Sequence, residues 1–128
     1  MSAARLAYQY VALRCVPRPD REEFLNVGVA LYCQSVEFLD VAWHVDRARL
    51  SALDPRLDLD QVCSALEFAR SVCAGDERAG EAGQRPLGQR FGFLRAPRST
   101  VVQPGPVHGG LTTDPGRQLE RLLTAYVG

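Results

Sequence analysis

The alternation of apolar and polar residues through the first third of the chain is the tightest constraint on its fold. Residues 7–16, Ala-Tyr-Gln-Tyr-Val-Ala-Leu-Arg-Cys-Val, put Val11, Leu13 and Cys15 on one side and Tyr8, Tyr10 and Arg14 on the other, the period-two pattern of a strand. Pro17-Arg18-Pro19-Asp20 stops it, because each proline lacks an amide donor. Alternation resumes from Asn26 to Cys33, with Val27, Val29, Leu31 and Cys33 on one face and Asn26, Gly28, Ala30 and Tyr32 on the other. After a tight Gln34-Ser35 break, residues 36–45 gather Leu39, Val41, Trp43 and Val45. These three runs predict an antiparallel meander, and such a sheet needs a cover of helices.

The rest of the chain supplies that cover. Asp46 is placed to cap a short helix carrying Leu50 and Leu53, which Asp54-Pro55 ends. Asp58, with Gln61 three residues on, opens a longer helix whose stripe of Leu59, Val62, Cys63, Leu66, Ala69 and Cys73 closes at Gly75. Residues 76–88 are rich in glycine with almost nothing to bury, so they read as a flexible surface loop. Phe91, Phe93 and Leu94 return to the core, and Arg98-Ser99-Thr100-Val101-Val102-Gln103 has the β-branched content of a fourth strand. Pro104-Gly105-Pro106-Val107-His108-Gly109-Gly110 predicts an exposed, extended connection. Asp114-Pro115 then caps a last helix with Leu119, Leu122, Leu123 and Tyr126 on its apolar face. The expected fold is a single α+β domain over residues 1–128, with a meander sheet of about four strands under two or three helices.

Composition excludes several chemistries. The fifteen basic residues are all arginine and balance fifteen acidic ones, so the chain lacks the positive surplus that draws proteins to nucleic acid or anionic lipid. Without lysine there is no Schiff base and no phosphate-loop lysine. No apolar run reaches transmembrane length, and Met1-Ser2-Ala3-Ala4-Arg5-Leu6 carries no secretion-signal core, so a cytoplasmic protein is expected. Cys15, Cys33, Cys63 and Cys73 lack metal or redox spacing and read as reduced packing residues. No cofactor and no metal site is expected.

Three places remain for function. The first is an anion- or partner-binding cluster of Arg14, Arg18, Arg21, Glu22, Glu23 and Asn26 with Arg98, Ser99, Thr100 and Gln103, which converge in one solvent-facing pocket if the late strand docks beside the first. Guanidinium forks with hydroxyl and amide donors suit a phosphate or carboxylate. The same side chains suit an internal network in which Arg18, Arg21 and Arg98 pair with Asp20, Glu22 and Glu23. The second place is His108 beside Gly109-Gly110, where small residues let a substrate approach the backbone. It lacks the spacing of a paired His-x-Thr phosphoesterase, and Ser99 lacks the glycine elbow of a hydrolase. The third is an interaction surface of Tyr8, Tyr10, Tyr32 and Arg14 with the proline segment, since aromatic and arginine side chains anchor interfaces.

Taken together, Tyr8-x-Tyr10, Arg14-Cys15-Val16-Pro17-Arg18, Arg21-Glu22-Glu23-Phe24-Leu25-Asn26-Val27-Gly28-Val29 and Ala96-Pro97-Arg98-Ser99-Thr100-Val101-Val102-Gln103-Pro104-Gly105-Pro106-Val107-His108 resemble the bacterial family known as domain of unknown function 3037. The resemblance carries no catalytic residues. It implies small bacterial proteins often encoded beside a HipA-like kinase, and hence a toxin–antitoxin-like protein partnership. The expectation is a non-enzymatic accessory protein that binds such a kinase. The alternative is a phosphate-ligand or nucleotide-processing enzyme using the arginine cluster with His108.

Overall fold

A computed structural model describes residues 4–98 and 100–128. Among the described residues five strands form one antiparallel sheet: β1 (Leu6–Cys15), β2 (Leu25–Cys33), β3 (Phe38–Trp43), β4 (Val102–Pro104) and β5 (His108–Thr112). Helices α1 (Arg47–Leu53), α2 (Leu59–Ala74), α3 (Leu87–Arg95) and α4 (Pro115–Tyr126) cover it. The predicted caps are in place. Asp46 accepts from the Arg49 amide, Asp58 from those of Asp60 and Gln61, and Asp114 from that of Arg117, while Gly75 closes α2 at φ 69°. No helix among the described residues is long and apolar enough to cross a membrane.

The sheet runs β3-β2-β1, and the far edge of β1 is shared by β5 along Leu6–Tyr10 and β4 along Leu13–Cys15. The late segment therefore does dock beside the first strand. Two cores result, one on each face. Val11, Leu13, Cys15, Leu39 and Val41 meet Leu50, Val62, Leu66, Val72, Phe91 and Leu94 on one side, and Tyr8, Val29, Leu31 and Cys33 meet Leu119 and Leu122 on the other. Cys15 and Cys73 belong to the first core, where burial pushes their thiols up to about 11 and about 12, as expected of packing residues rather than nucleophiles.

A bulge in β2 alters the expected faces. Leu13 lies opposite Gly28 and Arg14 opposite Asn26, so Val27 is an extra residue with no counterpart on β1. Val27 consequently joins the α2 side, whereas Val29, Leu31 and Cys33 join the α4 side. Tyr32 also leaves Tyr8 and Tyr10, and stacks on Phe91 with ring centroids 5.3 Å apart. Gly28 is required at this point, because a Cβ there would lie 2.8 Å from the Ala42 carbonyl oxygen.

The stretch 76–88, expected as a loop, is folded. Glu77–Gln84 forms 3-10 turns kinked at Gly80, and α3 starts at Leu87. Ala79 and Gly83 are buried, and a Cβ on Gly83 would lie 2.8 Å from that of Ala79. Arg90 ties the segment down by donating to the carbonyls of Val72, Cys73 and Arg85 at 3.1, 2.9 and 3.0 Å, which satisfies the C-terminal end of α2. Glycine here serves close packing. The expected strand over 98–103 narrows to Val102–Pro104, and the supposed connection 104–110 contains the start of β5. Pro104 is tolerated because β4 is an edge strand. Phe93, expected in the core, is exposed.

Two glycine replacements separate packing from flexibility. Gly28→Ala should lower unfolding free energy by about 1–3 kcal/mol through overpacking. Gly92→Ala, at a position on α3 with nothing within 4 Å of the added methyl, should raise it by about 0.5–1 kcal/mol, both read from urea unfolding.

Candidate functional site

The arginines expected in one pocket are divided among three places. Arg14 projects from β1 on the α4 side of the sheet. Across the strands Asn26 of β2 and Gln103 of β4 stand directly opposite it, and such pairs share a face. The three side chains form a row across the sheet. Asn26 Nδ2 donates to the Tyr126 carbonyl at 3.3 Å, and Gln103 Nε2 to the Thr100 carbonyl at 3.0 Å. The Arg14 guanidinium lies 4.1 Å from the centroid of the Phe24 ring, and its Nε is buried with no hydrogen-bond partner.

Arg18 and Arg21 are spent on their own corner. Arg18 Nη2 donates to Asp20 Oδ2 at 2.8 Å, and Arg21 pairs with Glu23. The hydrogen bond from Arg18 holds the Asp20 carboxyl below its ordinary range, although both side chains are exposed. Glu22 ends the Pro19–Arg21 turn at φ 55° and is exposed. This corner and Leu53–Arg56 border a small cavity of about 170 Å³. The ion-pair reading of this corner is thus realised for Arg18 and Arg21 but does not extend to Arg98.

Arg98 lies on the other side of the sheet, in a groove of about 680 Å³ between α2 and β4. Leu13, Ala65, Ala69, Leu94 and Val102 line its apolar wall, while Gln61, Ser64 and Thr100 supply hydrogen-bonding groups. Phe68 stands exposed at the groove and meets Phe93 edge to face at 6.1 Å. The Arg98 guanidinium stacks on Phe93 at 4.5 Å and donates to its carbonyl. Burial lowers the pKa of Arg98, and no carboxylate among the described residues pairs with it. Thr100 turns its hydroxyl to the Val102 carbonyl at 2.8 Å. Ser99 lies outside the described residues.

His108 is apart from all the arginines of the groove and the corner. It sits on β5 opposite Tyr10, with ring centroids 5.4 Å apart, on the same side as Arg14 but four residues, roughly 13 Å, along β1. Of the neighbouring glycines, Gly110 does not open the backbone to a substrate as expected: the Tyr8 ring fills the space beside it, its hydroxyl 2.6 Å from where a Cβ on Gly110 would lie. Tyr10 shares a 2.8 Å hydrogen bond with the Tyr126 hydroxyl.

Phe24, Phe68, Phe93, Gly105 and Tyr126 are the contributors to these sites that sequence reasoning missed in this role. Phe68 carried a signal, since it is a large aromatic off the apolar stripe of its helix. The others reveal themselves only through tertiary neighbours. The whole is a two-faced α+β domain with an apolar groove on one side and a polar row on the other. The chain belongs to the family described as protein of unknown function (DUF3037), whose profile matches residues 10–127. No curated protein and no solved structure matches the chain.

Burial first, and then the bond to Tyr126, push the Tyr10 phenol from 10.0 up to about 12. The neutral phenol is the form the fold favours. Its contribution to stability is present below pH 10 and is lost as pH rises from 10 towards 12. Ultraviolet titration should show one tyrosine ionising late, and Tyr126→Phe should bring that ionisation to lower pH.

Proposed function

We propose that the chain is a non-enzymatic interaction domain whose groove between α2 and β4 receives a segment of a protein partner. The observation that carries this reading is the half-buried Arg98 at an apolar groove, with no carboxylate partner among the described residues and the exposed Phe68–Phe93 pair beside it. Removing a guanidinium from water without a counter-charge is unfavourable, and a partner carboxylate relieves it. Aromatic and arginine side chains around a depression are the usual centres of binding energy. The fitting occupant is a segment with an aliphatic or aromatic anchor next to an acidic residue. The resemblance that points to HipA-like kinases supplies the protein to test, working in the cytoplasm as one half of a toxin–antitoxin-like pair.

The alternative enzyme built on the arginines and His108 has less support, because His108 pairs across from Tyr10 on the α4 side of the sheet while Arg98 lies in the groove on the α2 side. Calorimetry with a purified HipA-like kinase is the test. Arg98→Ala and Phe68→Ala should each weaken the complex by about tenfold or more. A kinase that fails to bind the unaltered chain, or binds both variants as well as the original, would reject the groove as its docking site.

A further inference from the structure

We propose that Arg14, with Asn26 and Gln103 on either side, forms a binding site for a phosphate group, separate from the groove and on the opposite face of the sheet. Arg14 is half-buried, and its Nε–H is buried without an acceptor. Such a donor is expensive to leave unmet in a folded protein, where nearly all buried polar groups find a partner. The obvious internal acceptors are already taken. At the C-terminal end of α4, Asn26 serves the Tyr126 carbonyl at 3.3 Å and Arg49 serves that of Val127 at 3.4 Å, so Arg14 is not needed as a helix cap. Nor does it pair with a carboxylate among the described residues.

The surroundings hold the guanidinium in place instead of neutralising it. Phe24 stacks on it at 4.1 Å, and Gly105 comes so close that an added Cβ would lie 3.1 Å from its Cζ, Nε and Nη2 atoms. The Gly105 amide is itself fixed to the Ala12 carbonyl at 2.8 Å, so the backbone covering Arg14 is anchored to the same strand. A guanidinium fixed in this way loses little freedom when it binds, and its planar fork matches two oxygens of an anion. The flanking amides of Asn26 and Gln103 come from neighbouring strands on both sides; each gives one N–H to a backbone carbonyl and keeps its second N–H for a remaining oxygen of a tetrahedral group. A planar carboxylate needs the fork alone. The three-strand row therefore favours phosphate.

The test is proton–nitrogen NMR of the arginine Nε–H groups during titration with sodium phosphate at constant ionic strength. The Arg14 signal should move saturably in the millimolar range, acetate should bind at least fivefold more weakly, and Arg14→Gln should abolish the phosphate response at the neighbouring Asn26 and Gln103 amides. Gly105→Ala keeps Arg14 but crowds its fork, and should weaken phosphate by at least fivefold. Arg98→Ala should leave phosphate affinity within twofold, which distinguishes failure here from failure of the groove. A non-saturating response, acetate binding as strong as phosphate, or a Gly105→Ala chain that folds and binds phosphate unchanged would each overturn the proposal.

Discussion

The organisation of the molecule depends on one unpaired residue. Between the Leu13–Gly28 and Arg14–Asn26 pairs, β2 holds Val27 in excess, and the side-chain phase of the strand is reversed across that point. Because successive strand residues face opposite sides, a shift by one residue exchanges every partner. The exchange lets β2 feed both cores: Val27, Ala30 and Tyr32 lie towards α2 and α3, and Val29, Leu31 and Cys33 lie towards α4. It also puts Asn26 on the same face as Arg14. With the register continued straight, Asn26 would face the other core and the Tyr126 carbonyl at the end of α4 would lose its amide donor. The bulge is held from the β3 side, where the Ala42 carbonyl leaves no room for anything but glycine at position 28.

A second consequence concerns the far edge of β1. One strand is paired along this edge by two short ones, and the chain passes between them through Gly105 and Pro106. That arrangement places residues from the late segment on both faces within a few positions. Arg98 and Val102 enter the groove beside α2, while Gln103 and Gly105 approach Arg14 from above the α4 side. The late segment docks as its strand-forming residues suggest, yet the guanidinium groups that docking was expected to unite end up back to back.

This division explains what was legible in the sequence. The three-strand meander, the caps at Asp46, Asp58 and Asp114, and the glycine stop at Gly75 follow from local periodicity and local hydrogen bonding, which a sequence displays directly. The bulge does not, since the runs on either side of it alternate normally and the extra residue is defined only against a partner strand. The 76–88 segment departs from the expected loop for a related reason. Glycine signals freedom when nothing touches it and close approach when something does, and the contacts of Gly83 with Ala79 and of Arg90 with the end of α2 are invisible until the chain is folded. For the candidate sites, the residue types were visible but their grouping was not. Arg14, Asn26 and Gln103 are brought together, Arg18 and Arg21 turn to local carboxylates, and His108 packs on Tyr10.

In a chain where every cation is arginine, residue type says little about purpose, and the degree to which each charge is compensated says more. Among the described residues, twelve of the fifteen arginines are exposed and solvated, so water meets their needs whether or not they are paired. Three are half-buried: Arg14, Arg90 and Arg98. Arg90 gives its Nε and Nη1 to three carbonyls and thereby closes the end of a helix, which accounts for its burial structurally. Among the described residues Arg14 and Arg98 rest on aromatic rings without a carboxylate, Arg98 with one bond to the Phe93 carbonyl besides, and a ring contributes only about 0.5–2 kcal/mol to holding a cation that has partly left water. An ion-pair partner in the fold would have removed that deficit. Its absence at both positions among the described residues, on opposite faces of one sheet, is the physical reason to look for an anion that arrives from outside: carried by a protein segment in the groove, and by a phosphorylated ligand at the row.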